Sequence, residues 1–341
     1  NRAVESSPAA TVAASPPVAA ERARGVAVGR LSPLASVAAT RETLERHGLA
    51  TKKSLGQNFL INDDILAKIV SLAELGDNDA VLEVGPGIGT LTIALLKSAR
   101  CVVSVERDTD LPAVLAETCA PWRDSFRLIN KDALDLSEGE LAEAFGSMGC
   151  DGLPSKFVAN LPYAVAATIV LDFFERFPWL QSATVMVQKE VADRMAAAPG
   201  SKNYGAYTVK LGMRVQPQGR FAVSPGNFFP PPHVDSAVIR LDRRMPDAVL
   251  EAAGPSADAD EVEALVRATC TMADAAFATR RKTLANSCKT YFVGRGAEGK
   301  RIVAELPGLF ETAGIDPKRR GESLDQAEFV RLGSAYLSLI G

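Results

Sequence analysis

Asn160-Leu161-Pro162-Tyr163 places a side-chain amide, carbonyls freed by a proline and an aromatic face within four residues. Those groups can grip an exocyclic amine on a flat base. Upstream lies a glycine loop, Gly85-Pro86-Gly87-Ile88-Gly89. Such a loop lets backbone approach a ligand, with a helix N-terminus behind it. Together the two motifs point to transfer of a methyl group onto a nucleobase nitrogen.

A dinucleotide fingerprint would read G-x-G-x-x-G, whereas this loop is G-x-G-x-G preceded by Glu83. The next acid at a predicted strand end is Glu106, where a carboxylate can accept both ribose hydroxyls. Asp132, after Asn130-Lys131, can accept an adenine amino proton. Gly85 and Gly87, a ribose acid and an adenine acid at three successive strand ends make an adenosine pocket. Without a pyrophosphate clamp, S-adenosylmethionine fits it better than a dinucleotide. Each part has a structural alternative: a tight turn for the glycines, a solvated strand end for Glu106, a helix cap for Asp132. Only His47 and His233 are histidines, which argues against a histidine triad or a His-rich metal site. The chemistry must therefore proceed without a strong base or a metal.

The elements that must position these residues alternate. A helix opened by Asp63 or Asp64 presents Ile65, Leu66, Ile69, Val70 and Leu72. Short apolar runs at Ala80–Val84, Cys101–Val105, Phe126–Asn130, Phe157–Ala159 and Ala183–Gln188 read as strands. Helical stretches follow them at about 90–98, 109–118, 137–145, 165–174 and from 189. Strand–helix alternation implies a mostly parallel sheet covered on both faces. Val215–Val223 and Ser236–Leu241 read as a closing antiparallel hairpin. The predicted fold class is α/β, a Rossmann-like sheet followed by a small all-helical domain.

With 341 residues and 47% apolar content, the chain can bury a full core. No apolar run reaches the roughly 20 residues needed to span a bilayer, so no membrane partner is expected. Five scattered cysteines, never in a C-x-x-C pair, argue for a reducing compartment and against a disulfide framework or structural zinc. Residues 1–50 are rich in Ala, Ser, Pro and Val and carry Arg2, Arg22, Arg24 and Arg30, like an organelle transit peptide. Residues 51–242 then form the cofactor-binding domain, 243–258 a linker, and 259–341 a helical domain with breaks at Gly294, Pro307 and Gly314 to Pro317. The net charge of −3 disfavours a nucleic-acid partner, but its distribution is uneven. Six acids and no base lie in 247–263, whereas 267–301 holds eight bases against Asp274 and Glu298. That basic stretch reads as a phosphate-facing surface, or as solvated helix faces.

Taken in order, these segments resemble the ribosomal RNA adenine N6-dimethyltransferases, the KsgA and Erm group. The resemblance rests on Lys53-Ser54-Leu55-Gly56-Gln57-Asn58-Phe59-Leu60, on the stretch from Glu83 to Thr92 and on Asn160-Leu161-Pro162-Tyr163. It continues through Gln188-Lys189-Glu190-Val191 and the stretch from Phe228 to Val238. Arg281-Lys282-Thr283-Leu284, Gly314-Ile315-Asp316-Pro317 and Glu322-Ser323-Leu324 extend it into the helical domain and favour the KsgA-like branch. It covers roughly 51–338.

The resemblance implies a class I S-adenosylmethionine-dependent methyltransferase that dimethylates two adjacent adenines near the 3′ end of small-subunit ribosomal RNA. Gln57, Asn58 and Leu60 would close over the methionine end of the cofactor, Gly85 and Gly87 would lie against it, Glu106 would hold the ribose and Asp132 the adenine. Asn160 and the Leu161 carbonyl would accept the two N6 hydrogens, and Tyr163 and Phe228 would sandwich the base, with Phe229 as the fallback. Two acceptors aimed at a delocalised amine favour pyramidalisation and point its lone pair at the methyl group. Positioning can supply about 7–11 kcal/mol in favourable cases, so no histidine is needed. Lys52, Lys53, Lys202, Arg280, Arg281 and Lys282 are the bases expected on RNA phosphates. Ala164 and Val165 depart from the Asn-Ile usual in bacteria, and small Ala164 leaves space for a first N-methyl group. Gln188-Lys189-Glu190 reads equally as a helix start without a ligand role. The expected partner is the immature small ribosomal subunit, met by a monomer in an organelle, the chloroplast ahead of the mitochondrion, with the cytoplasm as the alternative. The competing reading is a ribosome-assembly or organellar transcription factor that keeps the fold with little catalysis. Such a protein would be expected to have damaged the Asn-Leu-Pro-Tyr or Glu-x-Gly-x-Gly motif, and both are intact.

Overall fold

The computed structural model describes residues 29–50 and 57–341. Helix α1 (Val37–Arg46) opens at Ser36, whose hydroxyl accepts the Ala39 N–H at 3.1 Å. A two-residue strand β1 (Phe59–Leu60) leads into α2 (Asp63–Leu72), capped by Asn62 rather than by either aspartate. Asp63 and Asp64 lie in its first turn, where negative charge meets the positive end of the helix. The alternating units are β2 (Ala80–Val84), α3 (Thr90–Leu96), β3 (Cys101–Glu106), α4 (Leu111–Thr118), β4 (Phe126–Asn130) and α5 (Glu138–Gly146). They continue as β5 (Lys156–Asn160), α6 (Ala166–Arg176), β6 (Ser182–Gln188) and α7 (Lys189–Met195). After α8 (Ala206–Gly212) come β7 (Val215–Val223), β8 (Phe228–Phe229) and β9 (Ser236–Arg243). Helices α9 (Asp247–Ala253), α10 (Ala259–Phe277), α11 (Leu284–Val293), α12 (Gly296–Ala313) and α13 (Gln326–Ile340) complete the chain.

The main sheet has the order β4-β3-β2-β5-β6-β9-β7. Its first five strands are parallel, and β9 pairs antiparallel with both β6 and β7. The expected α/β class and closing hairpin are both present. Strand order reverses between β2 and β5, and ligands of open parallel sheets bind outside the carboxyl ends of strands at such a reversal. The glycine loop follows β2 and the Asn-Leu-Pro-Tyr motif ends β5, so the fold brings the two chemical motifs to one crevice. Alternate residues serve opposite faces: Leu82, Val103, Phe157 and Val185 pack on one side, Val81, Val102, Val158 and Met186 on the other.

Several sequence-based boundaries are corrected. Residues 30–50, expected to belong to a leader-like extension, are part of the fold. Leu34, Ala35 and Leu44 are buried in the core, and the N–H groups of Leu31 and Ser32 donate to the Asp63 carboxylate at 2.9 Å each. Arg46 pairs with Glu117 on α4. The expected linker at 243–258 contains α9, anchored by fully buried Val249. Pro307 breaks nothing: α12 runs through it, held by buried Leu306, Leu309 and Phe310 on the adjoining turns. The helical domain also reaches back into the sheet domain, because Tyr204 and the α8 residue Val209 share its core with α10 and α13. Cys101 at the start of β3 lies against Cys150 after α5, a contact across 49 residues without a spacing signature.

Candidate active site

The crevice between β2 and β5 is a cleft of about 490 Å³. Gly85 and Gly87 form its floor with φ of +71° and +59°, backbone that side chains rarely adopt. Space is tight at Gly87 as well, where a Cβ would lie 3.0 Å from the Phe59 ring, while one on Gly85 would make ordinary contact with Pro162 Cδ at 3.4 Å. The glycine loop is therefore packed directly against both β1 and the Asn-Leu-Pro-Tyr turn.

Glu106 closes β3, only 9% exposed, at the cleft wall. Burial raises its pKa, while N–H groups of Asp108, Gly87 and Arg107 oppose the shift by donating to the carboxylate. The Asp108 N–H contact is 2.7 Å, and the Asn130 amide braces the Glu106 carbonyl at 2.6 Å. Asp132 lines the cleft too, but it also caps the turn after β4, accepting the Leu134 N–H at 3.1 Å and facing Arg107 at 3.3 Å. The cap and the ligand role are thus compatible: one carboxylate organises the turn and still borders the cavity. Beside Glu106, Gln57 donates its amide to Asp108 at 2.8 Å, and Asn58 and Leu60 border the same space. Asp108, absent from the sequence-based set, anchors that wall. Nothing local marks it, because its role depends on Gln57 in a distant segment.

Glu83, in β2, directly precedes the last strand residue before the glycine loop. It is fully buried beneath the glycine loop, where Thr92 and Ser104 hydroxyls donate to one carboxylate oxygen at 2.8 and 2.6 Å. The other oxygen has no partner among the described residues. Burial pushes its pKa up to about 7, against the two hydroxyl bonds.

The acceptor side is built on the end of β5. Asn160 donates its side-chain NH₂ to the Asn58 carbonyl at 3.3 Å, leaving the amide oxygen as the group it presents to the cleft. Leu161 also lines the cleft, and its N–H is tied to the Met186 carbonyl at 3.0 Å. Tyr163 stands half-buried at the rim with its hydroxyl 2.5 Å from Ser236 on β9, which fixes the ring. Ala164 is exposed beside it. Gln188 lines the cleft as well.

Phe228 does not face Tyr163. It pairs with Leu60 across the β1–β8 bridge, is 2% exposed in the core, and does not line the cleft. Alternation along the strand turns Phe229 the other way, where the Arg41 guanidinium lies 5.3 Å from its ring centre. Neither Phe228 nor Phe229 lines the cleft, whose aromatic rings among the described residues are Tyr163 and Phe59.

Among the expected phosphate contacts, Lys52 and Lys53 lie outside the described residues. Lys202, Arg281 and Lys282 are exposed. Arg280 is different: its guanidinium pairs with Glu322 at 3.3 Å and donates to the carbonyls of Ser201 and Lys202. It staples the 201–202 loop to the helical domain and brings Lys202 alongside Arg281 and Lys282.

The cleft suits an adenosine bearing a sulfonium. Two carboxylates can meet the ribose hydroxyls and an adenine amine, and glycine backbone leaves room for the rest. Among the described residues no group of three or more His, Cys, Asp or Glu side chains could hold a metal.

Residues 48–329 match the model of a family described as ribosomal RNA adenine dimethylase. A ribosomal RNA small subunit methyltransferase A from Geobacillus kaustophilus is 40% identical over 310 residues, covering 90% of this chain and 98% of that protein. The protein of the same name from Enterococcus faecalis is 39% identical over 302 residues, covering 89% and 96%. Among solved structures, a dimethyladenosine transferase from Plasmodium falciparum shares the fold with a TM-score of 0.62 at 22% identity, covering 80% of this chain and 95% of that one. The 23S rRNA methyltransferase ErmE superposes with a TM-score of 0.54 at 25% identity, covering 82% and 99%.

Proposed function

The chain belongs to the ribosomal RNA adenine dimethylase family, and from that premise we propose that it dimethylates N6 of two adjacent adenosines near the 3′ end of small-subunit ribosomal RNA. It is an S-adenosylmethionine-dependent rRNA adenine dimethyltransferase. The observation that supports the acceptor assignment is that Asn160 lines the cleft with its NH₂ engaged by the Asn58 carbonyl, which leaves the amide oxygen available to accept.

When bound, S-adenosylmethionine supplies a methyl group made electrophilic by a sulfonium. The protein's part is to bind and orient. Glu106 and Asp132 would hold the ribose and adenine of the cofactor, with Gln57, Asn58 and Leu60 closing that wall. The Asn160 oxygen and the Leu161 carbonyl would accept the two N6 hydrogens of the target, turning the nitrogen lone pair toward the methyl group. Attack would then be in line. The ring of Tyr163, fixed through Ser236, offers a stacking surface worth about 1–3 kcal/mol. The amine becomes cationic as it reacts, so its proton leaves without a dedicated base. Exposed Ala164 leaves space for the first methyl while the second is added.

The proposal extends to setting: a monomer acting on immature small subunits in an organelle, the chloroplast ahead of the mitochondrion. Support for the organelle is the Ala, Ser and Arg content of residues 1–28, and import of a fluorescent fusion into isolated chloroplasts or mitochondria tests it. For the reaction, immature small subunits and labelled S-adenosylmethionine should yield N6,N6-dimethyladenosine, read by mass spectrometry of digested RNA. Asn160→Ala should slow it roughly 10- to 100-fold, the range expected for losing a hydrogen bond to a group that gains charge. Undiminished turnover by that variant would sink the acceptor assignment.

A further inference from the structure

Gln188 closes β6 and lines the cleft, yet the roles above leave it unused. The plain structural role for such a residue is to cap the helix that follows. It occupies the N-cap position of α7 but makes no side-chain capping bond. Its amide makes no hydrogen bond to any described residue, so donors and acceptor alike are open to the cleft. Its neighbours are engaged elsewhere: the Lys189 N–H donates to the Asp235 carbonyl at 2.9 Å, and the Lys189 ammonium pairs with Asp193 at 2.8 Å.

Sheet register places this amide among the acceptor groups. β6 runs between β5 and β9, with Asn160 opposite Met186 and Ser236 opposite Gln188. Val158, Met186 and Val238 share one core face, so Asn160, Gln188 and Ser236, each two residues from one of these, project from that same face. Gln188 therefore stands on the strand between the Asn160 amide and the Ser236 hydroxyl that fixes Tyr163. One N–H of Asn160 serves the Asn58 carbonyl, and the Leu161 carbonyl can only accept. Both N–H groups of the Gln188 amide are left to give, and they stand beside those acceptors.

An acceptor pair alone fits any exocyclic amine. The amine of adenine is flanked by ring nitrogens N1 and N7, both acceptors. We propose that Gln188 is a specificity-determining residue that donates its amide N–H to a ring nitrogen flanking the amine of the target adenine. This rests on the proposed function and deepens it, by adding a contact that reads the base rather than the amine.

The test pairs a functional group with a side chain. Small-subunit RNA carrying 1-deazaadenosine or 7-deazaadenosine at the target removes one ring nitrogen at a time. With the full-length protein, one analogue should raise KM by about 2- to 12-fold, the value of one neutral hydrogen bond. Gln188→Ala and the near-isosteric Gln188→Glu, which has no N–H to donate when ionised, should show the same rise with native RNA and become indifferent to that analogue. RNA affinity measured without cofactor should fall by the same factor, a readout that a purely structural defect would not link to a single ring atom. If neither analogue affects the unmodified protein, or the penalty persists unchanged in Gln188→Ala, the assignment falls while the dimethyltransferase reading stands. If the unmodified protein fails to methylate native RNA, the reading falls and the assignment with it.

Discussion

Glu83 shows how one buried carboxyl couples the site to pH. Its folded-state pKa, pushed up to about 7 by burial, lies above the ordinary carboxylate value. A raised acid of this kind contributes stability that is complete below about pH 4.5 and is lost as pH rises through 7. Conversion to free energy gives about 3 kcal/mol over that window. Glu83→Gln keeps an oxygen for the Thr92 and Ser104 hydroxyls and cannot ionise. Its stability relative to the unmodified protein should therefore climb between pH 5 and 8, read from urea midpoints at each pH; parallel curves would refute the buried acid. Burial raises Glu106 as well, but three backbone N–H groups oppose the shift there, where Glu83 has two hydroxyls. The two acids thus differ in place, one lining the cleft and one buried under the loop. That Asn160, Glu106 and Asp132 would border one cleft was legible in the sequence, because each sits where an apolar run stops. Phe228 was not, because the facing of a residue in a two-residue strand depends on its partner strand.

At the scale of elements, the small sheet of β1 and β8 decides how the cleft is assembled. It joins the cofactor-side wall to the acceptor-side loop through Leu60 opposite Phe228. Asn62 extends the join: its oxygen caps α2 at 2.9 Å while its NH₂ donates to Asn227 at 2.8 Å. Asn227 in turn donates to the Ser224 carbonyl and hydroxyl at 3.0 Å each. Asn227→Ala should cost about 1 kcal/mol of stability in urea unfolding and speed limited proteolysis within 224–235; equal cleavage rates would show the chain of amides to be idle. The parallel strands were readable as apolar runs, since burial on both faces imposes them. α1 was not readable, because its Ala-rich sequence merges with the segment before it. What holds it lies far off in sequence: Asp63 anchors Leu31 and Ser32 before the helix, and Glu117 pairs with Arg46 at its end. Pro307 misled for a similar reason: tertiary packing overrode a local signal.

For the whole molecule, the helical domain is fastened at two places. Its core depends on close helix contact, for a Cβ on Gly333 of α13 would lie 2.2 Å from Thr269 Oγ1 on α10. Gly333→Ala should lower unfolding free energy by about 1–3 kcal/mol, measured in urea, and a neutral result would mean the helices can part. Arg280 makes the second fastening, to the 201–202 loop and Glu322. Exposed Arg281 and Lys282 should act as phosphate contacts. Lys282→Gln is expected to reduce the slope of log affinity against log salt by about 0.7–0.9 without changing the melting temperature, whereas Arg280→Gln should lower that temperature. A salt slope unmoved by Lys282→Gln would exclude it from the RNA surface.

The shared core of Tyr204, Val209, α10 and α13 has a metrical consequence. Two bodies fused through common side chains cannot slide or swing past each other without opening that core. The span from the cationic edge at Arg281 to the amide of Asn160 is therefore a ruler of set length. On the proposed RNA surface, an RNA gripped at Arg281 would present to Asn160 the nucleotide that lies at that distance along its folded path. The choice of adenosine would then be a matter of measurement, with the base chemistry checking what the ruler delivers.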